Sequence, residues 1–303
     1  MIVTSTPLAT HRRRISRACN SDPPASGSPG ARHDNTVTDS GVPTLRVVMS
    51  PTGERPIRDH TPASLIALHD AGYRLVDDVI GSGEGIDIGC GTGTESASLM
   101  RPDRTVTGID YHPPTAAEAA RRLDHGICAD ARVLPVDSAS MSWVCSSHII
   151  EHFTDPERHV ADSARVLRDD GVLVVLTPNE PADFENPFHV HLFSPDQLAS
   201  MLAAHFDEVE VTGLTGNDRV SAEFARRRRT GTRLLALDPF GLRHRLPASV
   251  LTRIHSIGRR VLYPILNRNN AETTTADDFI RISREHIDDD TLVLVGIARR
   301  PRR

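Results

Sequence analysis

Apolar positions along this chain recur in two alternating periods. From Thr61, Leu65, Leu68, Leu75, Val76 and Val79 fall on one helical face, which predicts a helix with Thr61 as N-cap and Pro62 at its first position, stopped by Gly81 and Gly83. Beyond it, short apolar runs at 85–88, 105–109, 126–129, 142–145, 171–176, 208–212 and 291–297 predict strands. Stretches at 94–100, 114–123, 156–167 and 195–204 predict helices between them. Asp155-Pro156 and Ser194-Pro195 are helix starts, since proline lacks the N–H that a first helical turn leaves unpaired anyway. Strands covered on both faces read as unbroken apolar runs, so this order predicts an α/β chain with a doubly wound, mostly parallel, seven-stranded sheet.

The flanks differ from this body. Residues 1–48 are rich in Ser, Thr, Pro, Gly and Arg and have too little apolar surface to offset ordering, so this tail is expected to be disordered. Arg12-Arg13-Arg14-Ile15-Ser16 hints at a twin-arginine signal, but no apolar stretch follows it. Met49 opens the first segment with structural character and is a candidate translation start. The expected organisation is a core domain at 49–216, a basic helical insert at 217–270, and the end of the domain at 271–303.

Composition narrows the chemistry. All 35 basic residues are arginine and none is lysine. Schiff-base enzymes, pyridoxal-phosphate enzymes, P-loop hydrolases and protein kinases all need an ammonium group at a fixed place, so they are excluded. No apolar run approaches the roughly 20 residues of a membrane span. Cys19, Cys90, Cys128 and Cys145 show no C-x-x-C spacing and read as reduced thiols of a cytoplasmic protein. The net charge of −5 hides an asymmetry: 217–270 holds 12 arginines against Asp218, Glu223 and Asp238, a local +9 in an otherwise acidic chain.

The motif with most chemical content is Gly85-Ile86-Asp87-Ile88-Gly89-Cys90-Gly91-Thr92-Gly93, a strand running into a glycine loop that opens the expected helix at 94–100. Glycines let backbone N–H groups approach a ligand closely, and a helix N-terminus favours an anionic group, so a nucleotide relative is implied. A dinucleotide fingerprint needs G-x-G-x-x-G; here the third glycine, Gly93, comes one residue early and Thr94 stands in its place, which disfavours an NAD(P)-dependent oxidoreductase. Asp87, Asp110 and Asp130 end three successive strands. In that order they suit an amino group, a ribose and an adenine, that is, a cationic amino-acid nucleoside.

With these residues the chain resembles the class I S-adenosylmethionine-dependent methyltransferases, specifically the group containing the ubiquinone-biosynthesis and sugar O-methyltransferases. The resemblance covers roughly residues 52–301. It implies a Rossmann-like sheet of order 3-2-1-4-5-7-6 with the last strand antiparallel, and S-adenosylmethionine as cofactor. Asp87, Gly89, Cys90, Gly91 and Gly93 resemble the loop around the methionine part, Asp110 and Tyr111 the ribose turn, and Asp130 and Ala131 the adenine turn. Ser147 lies in the stretch 146–156, similar to the fourth-strand motif whose Glu151-His152 pair closes the site; 167–179 resembles the fifth-strand motif. Met141-Ser142 replaces the family's aromatic-Asp pair, and Asp169-Asp170-Gly171 replaces its Pro-Gly-Gly turn. A catalytically silent cofactor-binding module fits the same motifs.

Transfer to an alcohol needs a base, and histidine is the natural one near neutral pH. His152, His189 and His191 are the candidates, in the loops after the fourth and fifth strands. His148-Ile149-Ile150-Glu151-His152 also matches H-x-x-E-H, but that zinc pattern needs both histidines on a helix and this segment follows a strand, so no metal is expected. In the insert, Arg226 to Arg229 lack interleaved aromatics, and no specific nucleic-acid partner is expected. At 248–266 an amphipathic basic helix is predicted; packing on its own domain, peripheral contact with an anionic membrane, covering the active site and pairing with a subunit all fit it. The segments 274–279 and 287–298 resemble the tail of actinobacterial methyltransferases associated with polysaccharide or glycolipid assembly, which implies a sugar or lipid-linked glycan acceptor, or another small molecule.

Overall fold

The apolar runs become strands β1 (Gly83–Ile88), β2 (Arg104–Asp110), β3 (His125–Cys128), β4 (Met141–Ser147), β5 (Leu167–Pro178) and β6 (Phe206–Gly216), followed by a short β7 (Phe279–Ile282) and by β8 (Val293–Pro301). The helices are α1 (Ala63–Val79), α2 (Pro113–Arg122), α3 (Pro156–Val166), α4 (Pro195–Ala203) and α5 (Asp218–Leu235). This computed structural model describes residues 61–183, 189–235 and 274–303, with two three-residue strands, Arg32–Asp34 and Arg46–Val48, that pair antiparallel within the expected disordered tail.

The sheet runs β3-β2-β1-β4-β5-β8-β6-β7. β1 to β5 are mutually parallel, and β8 lies antiparallel between β5 and β6. The expected order is thus present with an eighth strand added at the edge. β7 escapes the sequence pattern because only Phe279 of its four residues is buried, while Ile280 and Arg281 are exposed. It pairs antiparallel with β6, so the insert is the loop of a hairpin. Asn217 N–H donates to the Asp278 carbonyl at 2.8 Å and Asn217 Nδ2 to Asp278 Oδ1 at 2.8 Å, closing the base of that loop.

Period-two alternation along the central strands divides the core. Trp143, Cys145, Val174, Leu176 and Val295 face α1, while Val144, Leu173, Val175 and Leu294 face α3 and α4. Gly85 is paired with Trp143, and a Cβ there would lie 2.0 Å from the indole, so glycine makes the slot that the ring fills. Ser194 and Gln197 form a reciprocal capping box at the start of α4, worth about 1 kcal/mol.

Two local expectations shift. α1 is capped by Pro62 rather than Thr61. Residues 94–100 hold no α-helix, only a 3-10 turn at Ser96–Leu99. The serine hydroxyls there bond elsewhere: Ser96 Oγ reaches Asp87, and Ser98 Oγ returns to the Glu95 carbonyl. Such side-chain bonds compete with helix formation.

α5 opens the insert and is tied to the domain. Ser64 Oγ donates to Glu223 at 2.6 Å, the Arg227 guanidinium lies over the Phe224 ring, and Arg228 donates to the Asp289 carbonyl at 3.0 Å and pairs with Asp290. Part of the arginine run is therefore used inside the fold. The amphipathic stretch 248–266 lies outside the described residues. No helix among the described residues is long and apolar enough to cross a membrane.

Candidate functional site

The chain reverses its direction of winding between β1 and β4, and ligands of open α/β sheets bind outside the carboxyl ends of strands at such a point. The glycine loop leaves β1 there. Gly89, Gly91 and Gly93 all have positive φ, at 75°, 58° and 77°. A Cβ on Gly89 would lie 2.9 Å from Ile149, so this glycine lets the loop pack on the segment after β4. At Gly91 a Cβ would meet nothing within 4 Å: the backbone there borders open space. Arg122 at the end of α2 donates to the Thr92 carbonyl at 3.1 Å and steadies the loop from the far side. Cys90 is buried, its thiol 3.4 Å from the Gly91 carbonyl.

Asp87 lies beneath the loop, fully buried. Its Oδ2 accepts hydrogen bonds from Tyr73 at 2.8 Å and Ser96 at 2.5 Å, and its Oδ1 has no hydrogen-bond partner. Burial pushes its carboxyl up to about 6, against the hydrogen bonds from Ser96 and Tyr73, which pull it down. Asp110 ends β2, buried, with Oδ1 accepting from the His112 N–H at 2.8 Å; the neighbouring Tyr111 is exposed. Asp130 follows β3 and is held by Arg132 through Nε at 3.0 Å and a second guanidinium nitrogen at 2.7 Å. That hydrogen bonding keeps its carboxyl below the usual range. The Ala131 carbonyl accepts from His159 at 2.8 Å, and Ser147 ends β4. The three carboxylates thus share one rim of the sheet, but Asp130 already has an internal cationic partner.

A second constellation lies beside the loop. His148 takes a left-handed backbone, φ 51°, a conformation costing a non-glycine residue about 1–3 kcal/mol and most often kept at functional sites. The 3-10 turn Ile150–His152 follows, so H-x-x-E-H is not carried on a regular helix. Glu151 is fully buried; its Oε2 accepts from Thr177 at 3.2 Å, and its Oε1 lies 3.5 Å from His148 Nδ1 and 3.9 Å from His189 Nε2. Burial raises the Glu151 carboxyl, but the neighbouring imidazoles, His148 first, outweigh it and hold it below its ordinary value. The Glu151 carbonyl accepts from the N–H groups of Val190 and His191 at 3.0 Å each, which ties the loop after β5 to the turn after β4.

That tie brings two sequence candidates together and separates the third. The rings of His152 and His189 meet at 4.9 Å, while the His191 ring packs on Phe193 at 4.5 Å. His189 Nδ1 lies 2.6 Å from Asp183 Oδ2. A carboxylate can only accept there, so Nδ1 carries a proton, and Nε2 is the nitrogen turned toward Glu151, 3.9 Å from its Oε1. Asp183, Thr177 and His69 are functional candidates that the sequence reading passed over. The His69 ring meets the His148 ring at 4.7 Å with a 58° tilt, and burial followed by the charge of His148 lowers its pKa to about 3. Its one sequence signal is its position four residues before Tyr73 on α1.

A glycine loop opening at the switch point of a doubly wound sheet, with carboxylates on adjacent strand ends, defines an enzyme domain that binds a nucleoside cofactor. Comparison with known proteins narrows the class. A family model described as "Methyltransferase domain" matches residues 86–175, which run from β1 through β5 and contain the loop, Glu151 and His152. The chain is 29% identical over 265 residues to a protein of Mycobacterium tuberculosis described as a probable S-adenosylmethionine-dependent methyltransferase, covering 84% of this chain and 90% of that one. A similarly described protein of Mycolicibacterium smegmatis is 30% identical over 173 residues, covering 53% of this chain and 66% of that one. Among solved structures, an S-adenosylmethionine-dependent methyltransferase from Archaeoglobus fulgidus is similar with TM-score 0.48 and 14% identity, covering 80% of this chain and 95% of that one. The family match and these relatives support a class I S-adenosylmethionine-dependent methyltransferase with S-adenosylmethionine as cofactor.

The residues present fit that group. Asp87 Oδ1 is a buried acceptor without a donor, which a cationic ammonium group can supply. The open space over Gly91 is where an added side chain would compete with a ligand.

Proposed function

We propose that this methyltransferase acts on a hydroxyl group, of a sugar, a lipid-linked glycan or another small molecule, and that the cluster of Glu151, His152 and His189 handles the hydroxyl proton. The single observation that carries the reading is the Asp183–His189 pair. It orients an imidazole beside the cofactor loop so that Nε2 is the basic nitrogen of its neutral form, as removal of an alcohol proton requires. An amine that is already neutral has a lone pair of its own and does not depend on such a base.

S-adenosylmethionine supplies a methyl group already activated by its sulfonium, so the chain's work is alignment, exclusion of water and proton removal. Asp87, Gly89, Cys90, Gly91 and Gly93 hold the methionine part, with Asp87 facing the ammonium. Asp110 and Tyr111 take the ribose; Asp130 and Ala131 border the adenine; Ser147 lines the floor between cofactor and acceptor. His152 and His189 face the acceptor oxygen. The glycan or lipid character of the acceptor is supported by the likeness of 274–279 and 287–298 to methyltransferases of polysaccharide and glycolipid assembly. The test is incubation with methyl-labelled cofactor and host extract, fractionated into lipid, glycan, protein and RNA pools. Label in the lipid or glycan pool as a base-stable ether is expected; label confined to protein or RNA overturns the reading.

A further inference from the structure

The same cluster has the makings of a metal site. Glu151, His152 and His189 each offer one ligand atom, and these atoms all lie within 4.8 Å of one another. Glu151 is fully buried, and its Oε1, with His148 Nδ1 at 3.5 Å and His189 Nε2 at 3.9 Å, makes no hydrogen bond. A buried carboxylate oxygen left without a donor is costly. His189 is about nine-tenths buried, and its other ring nitrogen is fixed by Asp183, also about nine-tenths buried. A carboxylate holding the far nitrogen of an imidazole is the usual support of a histidine that ligates metal. The left-handed His148 forces the chain into the short turn that aims Glu151 and His152 at the same point.

We propose that Glu151, His152 and His189 bind one divalent transition-metal cation, of the zinc, cobalt or manganese type, with Asp183 as a positioning residue. The sequence reading expected no metal, because it tested only the pair within H-x-x-E-H; the third ligand comes from a loop 37 residues further along the chain. Two imidazoles and one carboxylate favour such a cation over magnesium or calcium. Bonds of roughly 2.0–2.2 Å require ligand atoms about 3.5 Å apart, which small rotations of the histidine side chains achieve. Three protein ligands leave a position open. The consequence for turnover rests on the hydroxyl reading above: with a cation bound, His152 and His189 are its ligands, and the cluster would handle the hydroxyl proton by making an acceptor hydroxyl in the open position more acidic, the proton passing to solvent.

The test uses the full chain, stripped of metal by chelator and titrated with cobalt(II) chloride, then with zinc. One equivalent of cobalt should bind with a visible absorption band and be displaced by zinc. Glu151→Gln and His189→Ala should each weaken binding by at least about 100-fold, and Asp183→Asn by about 10–100-fold, while His191→Ala leaves it unchanged. Cofactor binding, measured by calorimetry on each variant, reports that the fold is intact. Absence of saturable cobalt binding, or equal binding by Glu151→Gln, overturns the site. Loss of the methyltransferase reading would show separately, as failure of the metal-free wild type to bind S-adenosylmethionine.

Discussion

Tyr73 donates a 2.8 Å hydrogen bond to Asp87, and four residues earlier on the same face of α1 the His69 ring meets the His148 ring at 4.7 Å. One helix face therefore supports both halves of the site, the cofactor carboxylate and the histidine cluster. Tyr73→Phe removes a donor that holds the Asp87 carboxyl down, so that carboxyl moves further up and the ionised form becomes scarcer. We expect a stability loss of about 1 kcal/mol by thermal denaturation and weaker cofactor binding by calorimetry at neutral pH.

The position of Asp87 makes both stability and binding depend on pH. Its folded value of about 6 is raised from 3.8 by burial. The stability linked to the neutral carboxyl is therefore fully present below about pH 4 and is lost as pH rises through about 6, a change on the order of 3 kcal/mol. An ammonium group at Asp87 reverses the preference, so cofactor affinity should rise from pH 5 to 7, with proton release on binding in that window. Asp87→Asn should stabilise the cofactor-free chain at pH 7 and flatten the dependence; wild-type affinity independent of pH would contradict the assignment.

Two glycines of the same strand and loop should behave oppositely. Gly85→Ala places a Cβ 2.0 Å from the Trp143 indole and should cost about 1–3 kcal/mol of stability, with little effect on cofactor affinity in the molecules that fold. At Gly91 an added Cβ meets no protein atom within 4 Å, so Gly91→Val carries mainly the strain of φ 58°, about 1–2 kcal/mol, yet it should abolish cofactor binding. Denaturant melts and calorimetry on both variants separate packing from binding.

Within the histidine cluster the effects should follow the contacts. His152→Ala and His189→Ala should each lower kcat by about 100-fold or more with cofactor affinity retained. His191→Ala, whose ring lies on Phe193, should remain near wild type. Asp183→Asn should fall between, because its carboxylate fixes the tautomer of His189 without meeting the acceptor.

The sequence was legible where chemistry is local. The apolar runs of β1 to β6 and β8, the positive-φ glycines and the carboxylates at strand ends depend on neighbours in the chain. Elements governed by distant contacts were not legible. β7 is a four-residue edge strand specified by its pairing with β6. The stretch after the glycine loop stays a 3-10 turn because Ser96 turns back to Asp87 at the end of β1. Asp183 gains meaning only when the Glu151 carbonyl draws Val190 and His191 back over the turn after β4. His148 drew notice only through the H-x-x-E-H pattern, set aside because the segment follows a strand; its left-handed backbone, at the entry to the turn that carries Glu151 and His152, was not legible.

The central claim is transfer of a methyl group to oxygen at the Glu151, His152 and His189 cluster. The most direct measurement is nuclear magnetic resonance of the product formed from isotope-labelled methyl donor, by the wild type and by the His152→Ala/His189→Ala double variant. The account predicts a labelled methoxy resonance from the wild type and none from the double variant. A labelled N-methyl or C-methyl product, or full turnover by the double variant, would contradict it.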